Sequence, residues 1–184
     1  MVITLKAKQQ RRQRRRALAY LGVAAGWAAS IWISTLIEPP SWLHALALFG
    51  HLASLIVGLG AVLMVEWYAL LWATEWRSVR DLRQVDRTLK LPIWVGLIGL
   101  LVSGAFLQPD LDSPATIVKL VAVLVVSLNG VALTRWTSYL ARFPARMRFR
   151  TLSRRARIRF VGSAVISQLA WWTAVVIGML NSAA

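Results

Sequence analysis

Apolar residues in this chain come in long unbroken runs rather than in the alternation of a half-buried strand, and short polar or strongly basic connections separate them. Five runs stand out, at residues 17–37, 43–73, 91–107, 115–140 and 160–180. A helix needs about 20 apolar residues to cross roughly 30 Å of hydrocarbon, and in that medium only a helix or a closed barrel satisfies its own backbone amides. The chain lacks the alternating segments of about ten residues that build a barrel. The pattern therefore predicts an all-α, polytopic membrane helical bundle of five transmembrane helices over residues 17–184, preceded by a basic tail at residues 1–16. The second run, about 31 residues and roughly 46 Å as a helix, has to tilt or extend past the bilayer. The third, about 17 residues, is short for a span.

Composition agrees with that class, with 58% hydrophobic residues, 16% charged residues and a mean hydropathy of +0.58. The net charge of +15 first suggests a nucleic-acid partner, but its distribution changes the picture. Twenty of the 22 Lys and Arg residues lie in three blocks: Lys6 to Arg16, Arg77 to Lys90, and Arg142 to Arg159. The intervening connections, residues 38–42 and 108–114, hold none. With five spans the positive-inside rule puts every block on one face, so the N-terminus is expected in the cytoplasm and the C-terminus outside. The expected location is a bacterial cytoplasmic membrane, and nucleic acid is not an expected partner. Arg14, Arg15 and Arg16 before the first run, with Arg154 and Arg155 before the fifth, are expected to meet anionic lipid headgroups, at about 1 kcal/mol for each well-placed charge. Residues 141–159, where Phe143, Met147, Phe149 and Leu152 interrupt the arginines, are expected to lie amphipathically on that surface. The first run exceeds the 7–15 residues of a cleaved signal and reads as an uncleaved anchor.

Polar side chains inside spans are costly and so mark candidate sites. Glu66, Asn129 and Gln168 lie on three helices at similar depth, about 12, 15 and 12 Å from the basic end. They are a candidate polar layer or pathway, or else interhelical packing contacts. His51 is a candidate ligand or proton site, with an interhelical hydrogen bond as the alternative. Lys119, one turn into the fourth run, is expected to snorkel toward Asp110 or Asp112. Trp171 and Trp172 point about 100° apart on their helix and form a candidate packing surface or ligand pocket.

Other chemistries find little support. His44 and His51 share one helix, so one protomer cannot offer the facing pair that a bis-histidine haem requires. With no cysteine and no methionine cluster, no metal site and no cofactor are predicted. No nucleotide, protease or hydrolase motif occurs, and His51 and Glu66 are about 22 Å apart on one helix, so an enzyme is not the favoured reading.

The stretch from His51 to Leu180 resembles a group of bacterial multi-pass membrane proteins similar in hydrophobic layout to copper-resistance D-type membrane proteins. The residues that carry the resemblance are His51-Leu52, Gly58-Leu59-Gly60-Ala61, Ser113-Pro114 with Lys119, Leu128-Asn129-Gly130, and Ser167-Gln168 with Trp171. It implies a multi-pass membrane protein and no particular ligand. Three functions stay open. The first is a structural or accessory membrane protein that packs against partner subunits or further copies of itself. The second is a small proton-coupled transporter or channel using Glu66, Asn129 and Gln168. The third and weakest is a haem- or quinone-linked redox subunit.

Overall fold

A computed structural model describes residues 2–183; the side chains of residues 2–9, 12, 135, 137, 138, 182 and 183 fall outside the described ones, and those of Lys6, Lys8 and Arg12 with them. The described residues form five helices, α1 (Val2–Leu36), α2 (Ser41–Ala73), α3 (Val79–Gly104), α4 (Pro114–Leu140) and α5 (Arg154–Ala183), and a single 3-10 turn, Phe149–Thr151. No strand occurs among the described residues. Four helices carry segments long and apolar enough to cross a membrane: Gln13–Leu36, Ser41–Ala73, Pro114–Thr134 and Arg154–Asn181.

The remaining helix, α3, differs from expectation. It begins at Val79 instead of Leu91, and its apolar part, residues 91–104, rises only roughly 21 Å. The early start comes from a capping box. The Ser78 hydroxyl accepts the Asp81 N–H at 3.3 Å while the Asp81 carboxylate accepts the Ser78 N–H at 3.0 Å, which satisfies two amides that the first turn would otherwise leave open. The basic tail differs too. Residues 2–16 continue α1 as helix, because they contain no Gly or Pro and are rich in Arg, Lys and Gln, which are good helix formers.

Side-chain pairs give the register of the bundle. Helices α2 and α3 run antiparallel, joined at Gly58 and Gly96, Ser54 and Gly99, and His51 and Ser103. Helices α4 and α5 also run antiparallel, joined by Asn129 to Ser163 and by Asn181 to Thr116. Helix α1 lies parallel to α3, with the Ser30 hydroxyl donating to the Leu101 carbonyl at 2.5 Å. Its Trp27 indole donates to the Leu120 carbonyl of α4 at 2.9 Å.

The two basic connections meet at one end, called here the basic end. Arg83 donates to the Phe143 carbonyl at 2.7 Å, Arg150 lies 3.5 Å from Glu75, and the buried Trp72 indole donates to the Met147 carbonyl at 2.9 Å. Phe143, Met147, Phe149 and Leu152 are therefore turned inward, not onto a lipid surface, while Ile158 stays exposed. Leu152 is buried, Phe143, Met147 and Phe149 pack on the same cluster, and Phe149 and Phe160 meet Trp72 edge-on at 5.1 and 5.9 Å. The reason is that Trp72, near the end of α2, presents a large apolar ring with an N–H that needs an acceptor, and the connection supplies both ring contacts and the Met147 carbonyl.

The tightest point of the fold is the α2 and α3 crossing. A Cβ built on Gly96 would lie 2.5 Å from the Gly58 Cα and 2.6 Å from its nitrogen. Gly96→Ala is thus expected to force the helices apart and cost about 1–3 kcal/mol. Gly60→Ala, whose Cβ meets nothing within 4 Å, should be neutral or gain up to about 1 kcal/mol in helix propensity. Thermal unfolding of the detergent-solubilised chain, followed by helical circular dichroism, separates the two. The capping box carries its own signature. Hydrogen bonds from the Ser78 backbone and then its hydroxyl hold the Asp81 carboxyl below its ordinary range. Because the folded value lies below the unfolded one, the stabilisation is present above the ordinary Asp range and disappears as pH falls through the lower folded value. Ser78→Ala should cost about 1 kcal/mol at neutral pH, and the cost of Asp81→Asn should shrink as unfolding is followed stepwise into acid.

Candidate functional site

Glu66 lies on α2 about two turns before the helix ends at Ala73. Its Oε2 accepts the Gln168 amide N–H of α5 at 2.6 Å, and the Gln168 carbonyl oxygen accepts the Trp172 indole N–H at 2.9 Å. The second carboxylate oxygen, Oε1, is buried without a hydrogen-bond partner. The buried Ser167 hydroxyl stands beside this carboxylate without the geometry of a bond to Oε1. An unpaired oxygen of this kind is costly in an apolar bundle unless water or a ligand reaches it.

Space for such a partner is present. A cavity of about 90 Å³ is lined by Glu66, Asn129 and Ser167 together with Asp86, Lys90 and Trp171, drawing on α2 to α5. A second cavity, about 320 Å³, continues toward the basic end; it shares Glu66, Asp86 and Lys90 and adds Arg83 and Arg87. The first alone has room for several waters. Together they form a chamber in which Glu66, Asp86 and Lys90 line both parts, Val62, Leu97 and Val126 lie deeper, and Arg83 and Arg87 line the part nearer the basic end. Burial pushes the Asp86 carboxyl above its ordinary range, opposed by the charges of Lys90 and Arg87.

The three predicted members of the polar layer are therefore brought to one place but are not equivalent. Asn129 lines the chamber, yet its amide is consumed between α4 and α5. It donates to the Ser163 carbonyl at 2.9 Å and accepts the Ser163 hydroxyl at 2.7 Å. Gln168 uses both ends of its amide, and only Glu66 keeps an oxygen unpaired.

His51 stands apart from this site. The Ser103 hydroxyl donates to the Gly99 carbonyl at 2.5 Å, so it accepts from His51, whose Nδ1 is 3.0 Å away; the network assigns the ring proton to Nδ1. His51 thus makes an interhelical hydrogen bond, and the Gly58 and Gly96 contact lies between it and Glu66. Lys119 does not reach Asp110 or Asp112, with no ion pair within 4.0 Å; it is half-buried and lies within electrostatic reach of His51.

The tryptophan pair divides as its angular separation requires. Trp171 is 2% exposed, packs among Leu97, Leu100, Ala122 and Val126, and touches the chamber wall. Trp172 is exposed and holds Gln168. Arg14, Arg15, Arg154 and Arg155 are exposed and Arg16 is half-buried. Among the described residues no three of His, Asp or Glu gather closely enough to hold a metal ion.

Sequence reasoning missed Asp86, Lys90 and Ser167. It read residues 77–90 as a connection, whereas the helix that starts at Val79 carries Asp86 and Lys90 on one face, one turn apart. The Ser78-x-x-Asp81 pattern was the available signal. No known protein family, curated protein or solved structure matches the chain.

The chain from Trp172 through Gln168 to Glu66 makes a graded prediction. Gln168→Leu strands the bonded carboxylate oxygen as well and should destabilise the bundle by about 1 kcal/mol or more. Trp172→Phe removes only an exposed donor and should cost less than half as much. Detergent-series unfolding of both variants beside the parent chain checks the order.

Proposed function

We propose that the protein is a small proton-coupled membrane transporter or channel in which Glu66 is the proton- or cation-binding group, reached through the chamber at the basic end. The observation that carries this reading is the unpaired, buried Glu66 Oε1 in the wall of a chamber shared by four helices. A carboxylate used only for packing would have both oxygens satisfied, as the amides of Asn129 and Gln168 do. In this reading the membrane is the bacterial cytoplasmic membrane, the basic end faces the cytoplasm, and α3 is the fifth span. Its antiparallel register against α2, held from His51 to Gly58, supports that fifth crossing despite its short apolar part. The chamber then opens to the cytoplasm, and the Gly58 and Gly96 contact is the closed constriction of the pathway.

Flux in vesicles tests the reading. Reconstituted parent chain should carry protons under an imposed membrane potential, and Glu66→Gln, which preserves shape and an acceptor for Gln168, should lower that flux at least tenfold with helicity unchanged. Equal flux in parent, variant and protein-free vesicles sinks it.

A second reading, an accessory subunit packed against partners or further copies, is favoured by a different observation. His51, Asn129 and Gln168 all have interhelical partners inside the bundle, as polar groups serving assembly would. Purification in mild detergent that returns a stoichiometric second protein would move the weight to this reading.

A further inference from the structure

Helix α1 is held to the bundle unevenly. Among the described residues its hydrogen bonds to other helices are those of Trp27 and Ser30, both in the half remote from its arginines. The space between α1, α3 and α4 is a cavity of about 820 Å³ that runs along the helix from Arg15 and Arg16 to Ile33 and Phe106. That volume is within the ordinary range for a bound small molecule, roughly 300–1,000 Å³.

The α1 wall of this cavity is a seam of small residues, Ala19, Gly22, Gly26 and Ala29, spaced by three and four so that they share one face. Such seams usually let two helix backbones touch, and Gly58 with Gly96 do so in this molecule. The α1 seam does not. A Cβ on Gly22 would meet nothing within 4 Å, and one on Gly26 would meet only the end of Leu101, at 4.0 Å. The opposite wall is apolar, with Ile98, Leu101 and Val131 among its residues, and Arg15 and Arg16 close the basic end. A narrow apolar slot with two cations at one end is the complement of an amphiphile with an anionic head. The distance fits as well. From Arg16 to Gly26 the helix rises roughly 15 Å, half of a hydrocarbon core of about 30 Å, so a lipid with its head at the arginines has its tail end near Gly26.

We propose that the groove between α1, α3 and α4 seats one acyl chain of an anionic phospholipid from the leaflet at the basic end, with its phosphate held by Arg15 and Arg16. Guanidinium groups suit this role because they bind phosphate oxygens in pairs. A bound lipid would complete the packing of α1, which its own hydrogen bonds fix at one half only. This proposal uses neither the chamber nor Glu66 and stands or falls apart from the transport reading.

Native mass spectrometry of the full chain, equilibrated with equal amounts of phosphatidylglycerol and phosphatidylcholine of the same chain length, tests it. The parent chain should retain one phosphatidylglycerol in preference to phosphatidylcholine by at least fivefold. Arg15→Gln with Arg16→Gln should abolish the preference. Gly22→Leu, which fills the slot where nothing stands within 4 Å, should lower retention of both lipids at least fivefold while circular dichroism shows the helices intact. Equal retention of the two lipids by the parent, or unchanged retention in both variants, overturns the proposal. So does a Gly22→Leu chain that keeps its lipid but changes its oligomeric mass, which would make the groove a seat for another helix.

Discussion

The contact of α2 with α3 at Gly58 and Gly96 is the constraint on which the rest of the bundle depends. Backbone meets backbone there, so a Cβ on Gly96 has no room and one on Gly58 would stand 3.3 Å from the Gly96 Cα. With the two helices fixed at that point, the antiparallel register follows, and with it the meeting of His51 with Ser103 on one side and the approach of α3's charged first turns to Glu66 on the other. In a bilayer, apolar burial would give little drive between helices, so close approach of small residues and a few interhelical hydrogen bonds would have to supply the association.

The polar side chains make sense as a satisfaction problem. Asn129 and Gln168 each find partners across a helix interface, and the Trp72 indole reaches a backbone carbonyl in the connection that folds over it. Each such bond is worth only about 1 kcal/mol, but leaving the group unpaired would cost more. Glu66 departs from this pattern in a single atom, and the two other unpaired buried atoms, Trp171 Nε1 and Arg83 Nε, belong to residues that line the same chamber. That departure coincides with a cavity lined by polar and charged groups, which is why it directs attention to the chamber and not to His51, whose surroundings are close-packed.

Two glycine-bearing seams also divide by what lies opposite them. On α2 and α3 the missing side chains bring backbones together; on α1 they leave a slot ended by arginines. The same residue type therefore serves a rigid joint in one place and an open groove in the other. Helix α1 is correspondingly lightly attached: among the described residues its hydrogen bonds to other helices are those of Trp27 and Ser30, and the Ile37 carbonyl just past its end accepts the Gln108 amide.

The sequence alone determined the helical class, four of the five apolar runs marked as spans, and the gathering of arginines in three blocks, because these depend on local properties: run length, backbone self-satisfaction in an apolar medium, and charge counted along the chain. It also put Glu66, Asn129 and Gln168 at similar depth, since depth along a helix is arithmetic in residue number, but did not determine whether their helices bring them side by side. The start of α3, the inward turn of Phe143, Met147 and Phe149, and the isolation of Lys119 from Asp110 and Asp112 were decided by capping and packing partners distant in sequence. Tertiary structure likewise decided which of three similar polar groups keeps an unpaired atom. A hydrogen bond is satisfied or not according to what stands within about 3 Å across the interface, and the spacing of residues along one helix carries no information about that.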